Sequence, residues 1–142
     1  MLVENKLIIL SLTALFLAQF LKIPFGYISN KKIDLTRLFE TGGMPSSHSA
    51  FVVSLTIGIG RMAGFNSPIF ALSFVFSSIV MYDAMGIRRA AGEHAKILNL
   101  ILSNDSKFTF NHKKLKELLG HTPFEVLGGL ILGILIGVLF PL

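Results

Sequence analysis

Cysteine is missing from the 142 residues, and charged side chains supply only 15% of them. The first absence rules out a disulfide framework, a zinc–thiolate site and a thiol nucleophile, so metal or covalent chemistry falls to four histidines and eight carboxylates. Those histidines form no His-Glu-x-x-His pair, and no Asp-rich loop accompanies them. No serine stands in a Gly-x-Ser-x-Gly elbow, which sets aside the α/β-hydrolase arrangement. Internal repeats, low-complexity segments and recognisable nucleic-acid modules are also missing. The scarcity of charge has the largest consequence. With 52% hydrophobic residues and a mean hydropathy of +0.69, the composition points to lipid as the main solvent and to one membrane-embedded domain over residues 1–142.

What is present is a series of apolar segments. The first runs from Leu7 to Leu21 and continues through Pro24 to Ile28, long enough to cross about 30 Å of hydrocarbon with a kink near one end. No Ala-x-Ala cleavage pattern follows it, so a retained helix is expected rather than a signal peptide, with Lys22 snorkelling to an interface. Ser47–Ala63 and Pro68–Ile87 flank the turn Gly64-Phe65-Asn66-Ser67 and should form an antiparallel hairpin. Pro123–Phe140 is the last span. Its Gly129, Gly133 and Gly137 make a stripe for close helix approach, serving either internal packing or a homo-oligomer. Between the third and fourth spans, Ala90–Leu102 places Ala91, Ala95, Leu98 and Leu102 at helical spacing, which predicts an interfacial helix. Lys113–Leu119 reads as a short basic cytoplasmic helix ended by Gly120. The expected fold is thus an all-α integral membrane bundle of about four transmembrane helices plus these two additional helices.

The net charge of +5 is distributed unevenly. The connections after the first and third spans hold every lysine and arginine except Lys6 and Arg61. By the positive-inside rule those connections are cytoplasmic and both termini are not, as expected for an inner (plasma) membrane protein. The same geometry gathers Thr41–His48, Arg88–Lys96 and His121–Glu125 at one membrane face. No nucleic-acid partner is expected, because the basic residues serve topology instead.

Each of these three stretches has a chemical and a structural reading. Thr41-Gly42-Gly43-Met44-Pro45-Ser46-Ser47-His48-Ser49 suits an anion, since a helix start attracts phosphate and a histidine there can pass a proton; it also suits an ordinary N-cap. In His121-Thr122-Pro123-Phe124-Glu125 a carboxylate four residues on can fix the imidazole tautomer and leave the other nitrogen as nucleophile or base. Thr122 to Glu125 also fits a capping box with proline at the first helical position. Asp83 lies at the membrane end of the third span and needs a partner, for which Arg88 or Arg89 is nearest. His94 and His112 read as exposed polar residues. Together, two histidines, a histidine-linked carboxylate and several cations suggest phosphoryl transfer by positioning and charge stabilisation, without a metal or other cofactor.

The stretches Thr-Gly-Gly-Met-Pro-Ser-Ser-His-Ser, Tyr-Asp-Ala-Met-Gly-Ile-Arg-Arg-Ala-Ala-Gly-Glu-His-Ala and Leu-Leu-Gly-His-Thr-Pro-Phe-Glu-Val resemble, in the same order, motifs of the divergent type 2 phosphatidic acid phosphatase family. That family is related to the acid phosphatases and vanadium haloperoxidases. In the wider superfamily a Pro-Ser-Gly-His motif supplies an acid histidine, and a later His-x-x-x-Asp motif supplies the nucleophile and its orienting carboxylate. The resemblance therefore implies His48 as general acid, His121 as the nucleophile that becomes phosphohistidine, and Glu125 as its orienting partner. Ser47 stands where glycine is usual, Glu125 where aspartate is, and Leu115 where spacing would put the third-motif arginine. Lys31 or Lys32 with Arg37 keeps the order of the first motif but lacks its spacing and proline. Phosphate binding is accordingly expected from Ser46, Ser47, Arg88 and Arg89, with Asp83, Lys31 and Lys116 in support. The implied activity is hydrolysis of a lipid phosphomonoester at the cytoplasmic face, and the alternative is a non-catalytic phosphate- or lipid-binding scaffold.

Overall fold

The computed structural model describes residues 5–31, 42–104, 115 and 120–142, the side chains of 28–30, 88 and 102–104 excepted. Over these residues the fold is all-α, with helices α1 (Lys6–Asn30), α2 (Ser47–Ala63), α3 (Pro68–Met85), α4 (Ile87–Asn104) and α5 (Pro123–Leu139). Local chemistry sets their starts. Asn5, Ser46, Ser67 and Thr122 occupy the N-caps of α1, α2, α3 and α5, and each side-chain oxygen accepts from first-turn amides. Pro68 and Pro123 open their helices, where a missing N–H leaves nothing unpaired. Gly64 at φ +89° turns the chain between α2 and α3, giving the expected hairpin. The short basic helix expected at 113–119 and the residue Lys116 lie outside the described residues.

α2 is the centre of the bundle and packs against α1, α3 and α5. The glycine stripe is used within the chain: a Cβ at Gly129 would sit 2.3 Å from the Ser46 carbonyl oxygen, at Gly133 2.8 Å from Val53 Cβ, and at Gly137 2.6 Å from Ile57 Cβ. These glycines lie against α2, the internal-packing use of the stripe. The atom that blocks position 129 is backbone, which cannot swing aside. Gly129→Ala should therefore cost about 1–3 kcal/mol, read as a lowered unfolding temperature in detergent. Gly128→Ala, where the nearest atom is the flexible Met44 Cε at 3.1 Å, should be far milder.

On α1 the buried ridge is Leu10, Ala14 and Ala18, each fully enclosed. Four residues on, the same ridge reaches Lys22, which is only 2% exposed. The snorkelling expected of Lys22 is thus corrected: its i+4 register turns it into the bundle rather than along the lipid face. At the opposite end Arg61 donates from Nη1 to the carbonyls of Gly137 (2.7 Å) and Phe140 (2.8 Å), satisfying the last turn of α5.

The outer surface is apolar. Phe16 and Phe20 on α1 and Leu72, Phe76 and Ile79 on α3 are largely exposed, and only Ser77 and Ala84 of α3 are buried. The segments Lys6–Tyr27 and Pro68–Ile101 are long and apolar enough to cross a bilayer, and Pro123–Leu139 is a shorter apolar helix. α4 follows α3 directly after Gly86 and buries only a narrow strip that includes Gly92 and Ala95. Its Ile97, Leu98, Leu100 and Ile101 remain about half exposed.

Candidate active site

The starts of α2 and α5 and the end of α3 converge, and two backbone hydrogen bonds hold them together. The His121 N–H donates to the Ala84 carbonyl (2.9 Å), and the Ser46 N–H donates to the Glu125 carbonyl (2.9 Å). The residues of the His-to-Glu stretch thereby link the Pro45–His48 turn to the last turn of α3. This junction opens into a cavity of about 270 Å³, walled by Gly42 and Gly43 before α2, by Arg89, Gly92, Glu93 and Lys96 of α4, and by Gly120, His121, Thr122 and Glu125.

At its centre Glu125 Oε2 lies 3.1 Å from His121 Nδ1 and accepts the Thr122 N–H at 3.0 Å, while the Glu125 N–H donates to Thr122 Oγ1 at 3.3 Å. The cap and the histidine contact, alternatives in the sequence, are one arrangement. A single carboxylate oxygen closes the capping box and faces the imidazole. An ionised carboxylate can only accept, so it favours the proton on Nδ1 and leaves the Nε2 lone pair available. The ring is 3% exposed, and Nε2 is buried with no hydrogen-bond partner among the described residues. A buried imidazole nitrogen without a partner loses free energy unless something else occupies its lone pair. Lys22 on α1 is close enough for its charge to act on the Glu125 carboxylate.

The α4 wall is cationic and adjustable. Arg89 Nε lies 3.5 Å from Glu93 Oε1, one turn on, with both side chains more than half exposed. A pair so exposed contributes little to stability, so an incoming phosphate can take the guanidinium from Glu93 at small cost. Lys96, another turn along, brings a second positive charge to the same cavity.

The family model described as "Divergent PAP2 family" matches residues 3–136. The chain belongs to the divergent PAP2 family. The "Uncharacterized membrane protein YuiD" of Bacillus subtilis (strain 168) is 41% identical over 147 residues, covering 95% of this chain and 93% of the relative. No solved structure matches at a significant level.

In this divergent PAP2 chain the expected residues divide into three groups. His121, Glu125 and Arg89 come together around the cavity. Ser46, Ser47 and His48 sit at the same end of the bundle but outside the lining. Ser46 is fully enclosed, and its oxygen already accepts from the Ser49 N–H (3.3 Å) and the Ser49 hydroxyl (2.9 Å), so it serves as the α2 cap. The half-buried His48 lies in the first turn of α2. Lys31 is the exposed C-cap of α1 at φ 53° and does not line the cavity. Asp83 is partly buried in α3 and does not line the cavity, and Arg89 lies against Glu93. The Arg88 side chain and Lys116 are outside the described residues. Leu115, in the place of the third-motif arginine, is held to α4 through paired hydrogen bonds between its backbone and the Asn99 amide (2.9 and 3.0 Å).

Contributors not named as site residues from the sequence are the wall residues Gly42, Gly43, Gly92, Glu93, Lys96, Gly120 and Thr122, and the nearby Lys22. Positions 89, 92, 93 and 96 recur at i, i+3, i+4 and i+7, which is one helix face, so Arg89 alone points to its neighbours. The signal for Lys22 is its place at the end of the Leu10–Ala14–Ala18 series.

Proposed function

We propose that this divergent PAP2 protein is an integral membrane phosphatase that hydrolyses a lipid phosphomonoester through a phosphohistidine intermediate. The observation that carries the reading is the buried His121–Glu125 pair with its Nε2 unpartnered, in a cavity shared with Arg89 and Lys96. His121 Nε2 attacks phosphorus as the ester P–O bond breaks. Arg89 and Lys96 take up charge on the phosphoryl oxygens, and His48 gives a proton to the departing alkoxide. Water then attacks the phosphorus and the P–N bond breaks, releasing inorganic phosphate and returning a proton to His48. The chain's own side chains supply this chemistry, with no cofactor assigned.

In this reading α1, α2, α3 and α5 span the bilayer and α4 lies along its surface, with its apolar residues in the interface. The basic connections face the cytoplasm of a plasma membrane, so substrate arrives from the inner leaflet, as newly made phosphatidate or phosphatidylglycerophosphate would. A non-catalytic phosphate- or lipid-binding scaffold is the second reading, favoured by the position of His48 outside the cavity lining. Purified protein in detergent, given a panel of lipid phosphates without added metal, separates them. The phosphatase releases phosphate, whereas a scaffold retains the lipid and releases none.

A further inference from the structure

A second cavity, of about 280 Å³, lies among α2, α3 and α5. We infer that it holds an acyl chain of the lipid whose phosphate occupies the polar cavity; this rests on the lipid-phosphomonoester reading. Three observations carry it. The first is placement. Its walls include Leu130 and Ile134 of α5, five and nine residues beyond Glu125, or about 8 to 14 Å further along that helix. On α3 it begins at Met81, about one turn before Ala84, whose carbonyl binds the His121 N–H. The two cavities are therefore stacked along the same helices, the polar one at their ends and the apolar one further along, half-open to the outer face where Phe74, Ser78 and Ile134 are exposed.

The second is surface chemistry. Thr56, Ser77 and Ser78 are the hydroxyl residues of the lining, and each donates to a backbone carbonyl: Thr56 to Val52 (2.9 Å) and Ser73 (3.2 Å), Ser77 to Phe74 (3.0 Å) and Ser78 to Phe74 (2.8 Å). With those donors occupied, the cavity offers hydrocarbon, and a polar occupant would find no donor there. The third is size. The volume suits a run of methylenes, whereas a helix from a second copy, about 10 Å across, would not fit without parting α3 from α5.

The test uses full-length protein in mixed micelles with a phosphatidate carrying a diazirine on its acyl chain, and the variants Ile134→Phe and Ser78→Phe, which fill the slot away from the His121 cavity. After illumination, label should concentrate on the more enclosed Val53, Met81 and Leu130 over the outward Phe76 and Ile79, and filling should remove that preference. In hydrolysis, filling should raise KM for the long-chain lipid on the order of tenfold and leave a water-soluble phosphomonoester unchanged. Equal labelling of inner and outer residues, unaffected by filling, would overturn the inference even if both substrates are hydrolysed. Filling that changes only the oligomeric state in detergent would overturn it in favour of a second copy. Label in the slot without hydrolysis of either substrate would support the slot and count against the phosphatase reading.

Discussion

His121→Ala should lower lipid phosphate hydrolysis by about a thousandfold or more while leaving the protein folded. The fold is spared because His121 is held through its backbone: the N–H bond to Ala84 survives truncation, and Glu125 keeps its bond from Thr122. Activity is not spared, since no other described nitrogen combines burial, an orienting carboxylate and a place in the cavity. His48→Ala should cost less, about a hundredfold to ten-thousandfold, as for loss of a general acid. That loss should shrink for an aryl phosphate, whose leaving group departs without a proton, whereas no leaving group should rescue His121→Ala. Phosphate release from phosphatidate and from an aryl phosphate, measured for both variants, checks the assignment.

Glu125→Gln and Glu125→Ala should part company, because one oxygen of Glu125 performs two tasks. Glutamine retains an acceptor for the Thr122 N–H, so the capping box and the unfolding temperature should change little. That same oxygen can still accept from Nδ1–H, but glutamine lacks the negative charge that supports the cationic imidazole formed as Nε2 bonds to phosphorus; a fall of up to about ten-thousandfold is the scale for a lost orienting carboxylate. Alanine loses both tasks and should be similarly inactive and less stable by about 0.5–2 kcal/mol, the usual cost of a cap. Thermal unfolding and hydrolysis, measured on the same preparations, distinguish the two. Equal activity in wild type and Glu125→Gln would mean that Glu125 is a cap alone.

The helix boundaries were legible because local residues set them. Ser47–Ala63 is found where Ser46 and Gly64 bracket it, and α3 begins at Pro68 behind Ser67. The motif pair His121 and Glu125 was legible for the same reason, being one helical turn apart. Contacts between elements remote in sequence were not. Lys22 shares its register with Leu10, Ala14 and Ala18, but that this face of α1 is the one that meets α2 is set by the fold and not by the segment itself. The anion-friendly features of Ser46 and Ser47 are real as helix-start chemistry, but Ser46 is committed to its own cap, and Gly42 and Gly43 form the cavity wall. Glu93 and Lys96 share a helix face with Arg89, but that this face of α4 looks onto His121 and Glu125 follows from the packing.

Phosphate carried on His121 during turnover can be read directly. Protein is mixed briefly with a lipid phosphate labelled on phosphorus, quenched in alkali, where a phosphoramidate survives and an acyl phosphate does not, and digested for mass spectrometry. Label is expected on the peptide containing His121, lost on acid treatment and missing from His121→Ala. Hydrolysis that proceeds with His121 unlabelled and persists in His121→Ala would contradict a phosphohistidine intermediate.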